Sequence, residues 1–108
     1  MAPAELSIVD VEGARHTLAL VGELDLATVP GLEHAVTRAC GAGAQHVVLD
    51  FGGVEFLDSM GLHAIMRLRR RTGRISVVHA SSHVRRVFEV IGIPLDDAPD
   101  DGRAATAA

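Results

Sequence analysis

Hydrophobic and polar positions along this chain switch repeatedly between a period of two and a period near 3.6. In "ARHTLALVGELD", Leu18 and Leu20 alternate with Thr17 and Ala19, the pattern of a half-buried strand. "ELSIVDVEG" before it reads as a second strand, and a tight link at Gly13 makes the pair a hairpin. "ATVPGLEHAVTRACGAG" puts Val29, Leu32, Val36 and Ala39 on one helical face. Thr28 is its expected N-cap, Pro30 is tolerated in the first turn, and Gly41 and Gly43 stop it. "HVVLDF" is a short apolar run suited to a strand covered on both faces, with a turn expected after it. A helix follows from about Met60 to Arg71, with Leu62, Ile65 and Leu68 as its buried stripe. "RISVVHA" is another buried strand. "SSHVRRVFEVIG" is the clearest helix, with Val84, Val87, Phe88 and Ile91 at i, i+3, i+4 and i+7, Ser81 or Ser82 as its cap and Gly92 as its end. A last short strand is expected at Ile93 to Leu95, and an acidic, Ala-rich, frayed tail from Asp96 to Ala108.

The order β-β-α-β-α-β-α implies a mixed sheet, parallel in its centre, with helices packed on it. The 108 residues show no internal repeat and no linker, so one domain is expected over residues 1–95, with the tail at 96–108. A hydrophobic content of 48% supports a core at this size.

Composition narrows the function. The single cysteine, Cys40, leaves no internal disulfide and no cysteine cluster for a metal, which points to a reducing compartment. Asp10 and Glu12 interrupt any secretory core, and no apolar run approaches the roughly 20 residues that span a bilayer. A cytoplasmic protein with no membrane partner is therefore expected. The net charge is −4 and aromatic residues are 3% with no Trp or Tyr, which argues against a nucleic-acid partner that stacks bases. The one basic run, "RLRRRTGR" from Arg67 to Arg74, falls where a helix ends, and positive charge there complements the dipole; the alternative, binding of nucleic acid or anionic lipid, is disfavoured by the overall acidity and few aromatics.

The candidate chemistry centres on "FLDSMGL". Ser59 has an ordinary reading as the N-cap of the following helix, accepting from its free N–H groups. It also has a sharper reading as a phosphoacceptor, because a helix N-terminus favours negative charge. The two are compatible. Asp58, and Asp25 in "GELDLAT", read individually as turn or capping residues. A hydrolase nucleophile is not supported: Leu57 stands where the G-x-S-x-G elbow needs Gly, and His63 has no third triad member. His79 and His83 straddle a strand-to-helix turn, which favours a surface role over metal binding. Gly41-Ala42-Gly43 is too short for a phosphate-binding loop. No enzyme and no cofactor is expected.

Three segments taken together, "LVGELDLATVPGLEHAV", "HVVLDFGGVEFLDSMGLHAIMRLRRR" and "GRISVVHASSHVRRVFEVIGI", resemble the STAS domain of bacterial anti-sigma factor antagonists over nearly all of residues 5 to 95. The G-E-L-D and L-D-S-x-G-L elements carry the likeness jointly. The resemblance implies an α/β, single-domain STAS-like fold with a mixed four- to five-stranded sheet. It also implies a function: binding an anti-sigma factor that is itself a serine kinase, which frees a sigma factor for transcription. The kinase would phosphorylate the serine of D-S-x-G, here Ser59, and a phosphoserine phosphatase would reverse it. Asp25 and Asp58 match the acids near that serine, and Met60 and Gly61 complete the supporting set. The family usually carries Ser or Thr where this chain has Met60. The alternative is a STAS binding module in a lipid-transport or stress-sensing assembly that is never phosphorylated.

Overall fold

The computed structural model describes residues 5–91. It contains β1 (Glu5–Glu12), β2 (Arg15–Leu24), α1 (Val29–Gly41), β3 (His46–Leu57), α2 (Ser59–Thr72), β4 (Ile75–Val78) and α3 (Ser82–Ile91), the order that the periodicity predicts. The expected strand at Ile93–Leu95, the stop at Gly92 and the tail over 96–108 lie outside the described residues.

The sheet runs β1-β2-β3-β4. β1 and β2 are an antiparallel hairpin, and β3 and β4 add in parallel. Because the strand order advances in one direction, the crossovers through α1 and α2 fall on the same face. One cluster confirms it: Leu18, Leu20 and Leu24 of β2 and Val47, Leu49 and Phe51 of β3 bury against Leu32 and Val36 of α1 and Leu62, Ile65 and Leu68 of α2. α3 closes this core through Val84 and Phe88. The Phe88 ring meets Phe51 edge-on, with centroids 6.4 Å apart and planes at 88°, a favourable aromatic geometry.

β3 differs from its expected extent. It does not turn after Phe51 but continues to Leu57. Against β2 the register shifts between Ala19 and Val21, and again between Gly22 and Glu23, each time giving β3 an extra residue. Two bulges break the period-two pattern, so buried positions fall at Phe51, Val54 and Leu57 instead of alternating. Gly53 permits the first bulge: a Cβ there would stand 3.0 Å from the Leu20 carbonyl oxygen and 2.9 Å from Val21 Cγ2. The longer strand carries Asp58 and Ser59 out to the C-terminal edge of the sheet.

Candidate functional site

The site is assembled where the bulged end of β3, the loop after β2 and the first turn of α2 meet. The Asp58 N–H donates to the Leu24 carbonyl at 3.3 Å, which ties the mouth of α2 to the end of β2. Asp58, not Ser59, is the N-cap. Its backbone is extended, and its Oδ1 accepts from the Gly61 N–H at 2.9 Å. The carboxylate of Asp58, one residue earlier, reaches the third N–H of the helix, so Ser59 falls at the first helical position. The capping role expected of Ser59 is corrected accordingly. Ser59 is exposed, and among the described residues its hydroxyl has no hydrogen-bond partner.

This divides the two roles cleanly, and stability tests the division. Asp58→Ala is expected to cost about 0.5–2 kcal/mol, the range for loss of an N-cap. Ser59→Ala should stay within about 0.5 kcal/mol of wild type, as exposed substitutions without partners do. Urea denaturation of both variants checks this, and the reverse ranking would return the cap to Ser59.

Gly61 is buried, and its place in the set has a steric origin. A Cβ there would lie 2.6 Å from the Leu24 carbonyl oxygen and 2.9 Å from Leu57 Cδ1. Only a glycine lets α2 begin this close to β2. Met60 beside it is 39% exposed.

Asp25 follows Leu24 on the neighbouring loop, but its carboxylate is committed to that loop. Oδ1 accepts from the N–H groups of Ala27 and Thr28 at 3.0 and 3.2 Å. Thr28 stands at the N-cap position of α1 yet makes no side-chain cap. Its Oγ1 instead donates to the Glu23 carbonyl at 2.8 Å and accepts from the Asp25 N–H at 2.9 Å. The hydroxyl turns back towards the strand because Asp25 already satisfies the loop's donors. Asp25 and Asp58 are thus brought to the same edge through Leu24, each engaged in shaping its own turn.

Two contributors escaped the sequence reading. Leu26 is 65% exposed in the Asp25 loop and Phe56 is 45% exposed on the bulged end of β3, beside Glu23. With Met60 they form an apolar rim around the Ser59 edge. The available signal was Leu26 itself, a large apolar side chain in an otherwise polar turn. Elsewhere, the α3 cap is Ser81, whose Oγ accepts from the Val84 N–H at 3.2 Å. His79 sits at φ 60° and contacts Asp50 Oδ1 through Nδ1 at 3.0 Å. Among the described residues no three His, Cys, Asp or Glu side chains converge as a metal site.

Residues 7–94 match the family described as "Mlab, STAS domain". BtrV of Bordetella bronchiseptica, assigned as an anti-sigma factor antagonist, is 30% identical over 93 residues, covering 82% of this chain and 80% of that protein. The anti-sigma-F factor antagonist RsfB of Mycobacterium tuberculosis is 32% identical over 79 residues, 70% of this chain and 65% of its own length. The crystal structure of an anti-sigma factor antagonist from Mycobacterium paratuberculosis superposes with a TM-score of 0.77 at 28% identity, over 96% of this chain and 92% of that one.

Proposed function

The chain belongs to the STAS-domain family of anti-sigma factor antagonists, and from that membership we propose that it binds an anti-sigma factor with serine kinase activity and is released when that kinase phosphorylates Ser59. Binding displaces a sigma factor and permits transcription; a phosphoserine phosphatase restores the binding form. The relatives are antagonists of regulators, acting by association and not by catalysis.

One observation carries the Ser59 assignment: the hydroxyl is exposed at the mouth of α2 while Asp58 holds the cap. Adding a phosphate removes no hydrogen bond that the fold uses. The added charge of about −1.5 to −2 enters where the helix N-terminus offsets part of the repulsion from Asp58, by roughly 0.3–1 kcal/mol. The fold survives, and the penalty falls on the docked partner.

The test incubates wild type and Ser59→Ala with the cognate anti-sigma factor and ATP and weighs the intact proteins. Wild type gains one phosphate and the variant gains none. A phosphate on the variant would move the acceptor elsewhere, with Thr28 and Ser81 the next hydroxyls to replace. The exposed Met60, with Leu26 and Phe56 also exposed on the neighbouring segments, favours a second reading: a STAS module that holds its partner permanently through this apolar rim, in a lipid-transport or stress-sensing assembly. Stable association with no phosphate on either protein selects that reading.

A further inference from the structure

The edge opposite Ser59 gathers more positive charge than its contacts within the fold engage. Arg67 Nη2 pairs with Glu33 Oε2 at 2.6 Å, and Arg71 Nη2 donates to Thr37 Oγ1 at 3.1 Å. These rungs advance together along both helices, so α1 and α2 lie side by side in the same direction and their C-terminal turns are neighbours. The Val47 N–H donates to the Arg74 carbonyl, which sets the start of β4 beside the start of β3 at that end. The edge therefore collects Arg38 from α1, Arg69, Arg70 and Arg71 from the last turn of α2, and Arg74 just beyond it. The acids on these elements are engaged: Glu33 with Arg67, and Glu12 at the hairpin within 4.0 Å of Arg15. Arg38, Arg70 and Arg74 are exposed and, among the described residues, have no acidic partner. A helix C-terminus presents about half a unit of negative charge. Arg70 and Arg74 add positive charge there beyond what that dipole needs.

We infer that this edge is a second docking surface, and that its occupant is an acidic protein segment, a run of carboxylates on a partner. The guanidinium fork binds carboxylates in two parallel hydrogen bonds. Other polyanions fit less well. The one exposed large aromatic side chain among the described residues, Phe56, is at the Ser59 edge, so bases have nothing to stack on here. The last turns of α1 and α2 carry no exposed large apolar side chain; those near this edge, Ile8 beside Arg38 and Val11 beside Glu12, belong to β1, so a membrane would find no wedge among the α2 arginines. Arg70 lies about 17 Å along α2 from Ser59 at the helical rise of about 1.5 Å per residue, which leaves the two edges free to be occupied together. The inference does not depend on the Ser59 reading.

The full chain is titrated with a labelled polyglutamate peptide at an ionic strength of about 0.15 M, where exposed charges more than about 8 Å apart are screened. Vesicles of phosphatidylcholine containing phosphatidylglycerol, and oligothymidylate, serve as parallel probes. Binding to polyglutamate is expected, weakening as salt rises. Arg70→Glu with Arg74→Glu should reduce it by about tenfold or more, and Arg38→Glu alone by a few-fold. Arg86→Glu, the same charge change at an exposed position on α3, should change it by less than about twofold, and Ser59→Asp should leave it unaltered. Absence of polyglutamate binding, an equal loss with Arg86→Glu, or tighter binding of vesicles or oligothymidylate overturns the inference. Circular dichroism of each variant confirms folding, and Arg38→Glu supplies an independent reading should the double variant unfold.

Discussion

Gly61→Ala lowers the stability of the domain by about 1–3 kcal/mol, the range for forcing extra atoms into a packed site. The new methyl would meet the Leu24 carbonyl oxygen at 2.6 Å, with Leu57 Cδ1 at 2.9 Å and Leu24 Cγ at 3.0 Å. A flexible side chain could yield, but the nearest atom is backbone. That carbonyl also accepts the Asp58 N–H at 3.3 Å, so moving it away loosens the cap it supports. Helix propensity acts in the opposite direction, since Ala is favoured over Gly by about 1 kcal/mol in a helix interior. The clash wins because relief requires a shift of the whole α2 N-terminus. Gly41→Ala is the matched control: a Cβ at Gly41, the last residue of α1, meets nothing within 4 Å. Thermal denaturation should show Gly61→Ala melting several degrees lower, at roughly 4–8 °C per kcal/mol for a domain of this size, with Gly41→Ala at or slightly above wild type. Equal melting of the two variants would mean that α2 does not need the close approach.

The legible parts of this fold are those where one face of an element decides its residues. Leu18 and Leu20 mark β2, and Val84 and Phe88 mark α3, because each lies on a regular period against the core. The sequence pattern ends β3 at Phe51 because its two bulges put Val54 and Leu57 out of phase with Val47 and Leu49. A bulge is fixed by the partner strand, and no local pattern in "FGGVEFL" declares it. The choice of cap is hidden from the sequence for a similar reason. Asp58 and Ser59 are both good N-cap residues, and which one caps depends on where the Leu24 carbonyl holds the Asp58 N–H. Thr28 likewise has the residue type and position of a cap, whereas its hydroxyl follows the Asp25 turn. Residue types at the site were readable; the exposure of Leu26 and Phe56 was not, since exposure belongs to the assembled edge.

Ser59→Asp weakens association with the anti-sigma partner by at least about tenfold, while Ser59→Ala leaves it within about twofold of wild type. The loss is set by where the charge is desolvated. In the free domain Ser59 is exposed, and an added carboxylate stays hydrated at a helix N-terminus that favours it by roughly 0.3–1 kcal/mol. A partner docking on this edge, against the exposed Leu26, Phe56 and Met60, would take the same atom out of water. A buried charge without a counter-charge costs several kcal/mol, and each 1.4 kcal/mol is a factor of about ten in affinity. Asp58 adds a like charge one residue away, but its carboxylate is already held by the Gly61 N–H. Ser59→Ala removes a hydroxyl that makes no hydrogen bond among the described residues, so it withdraws nothing from the fold. Asp carries less charge than phosphoserine, at about −1.5 to −2, and reaches less far, so the loss should be smaller than phosphorylation produces. Calorimetric titration of both variants against the partner measures the ratio, with circular dichroism to confirm equal folding. Equal affinities would show that charge at Ser59 does not govern the complex, and the permanently bound module would then be the better account of the apolar rim.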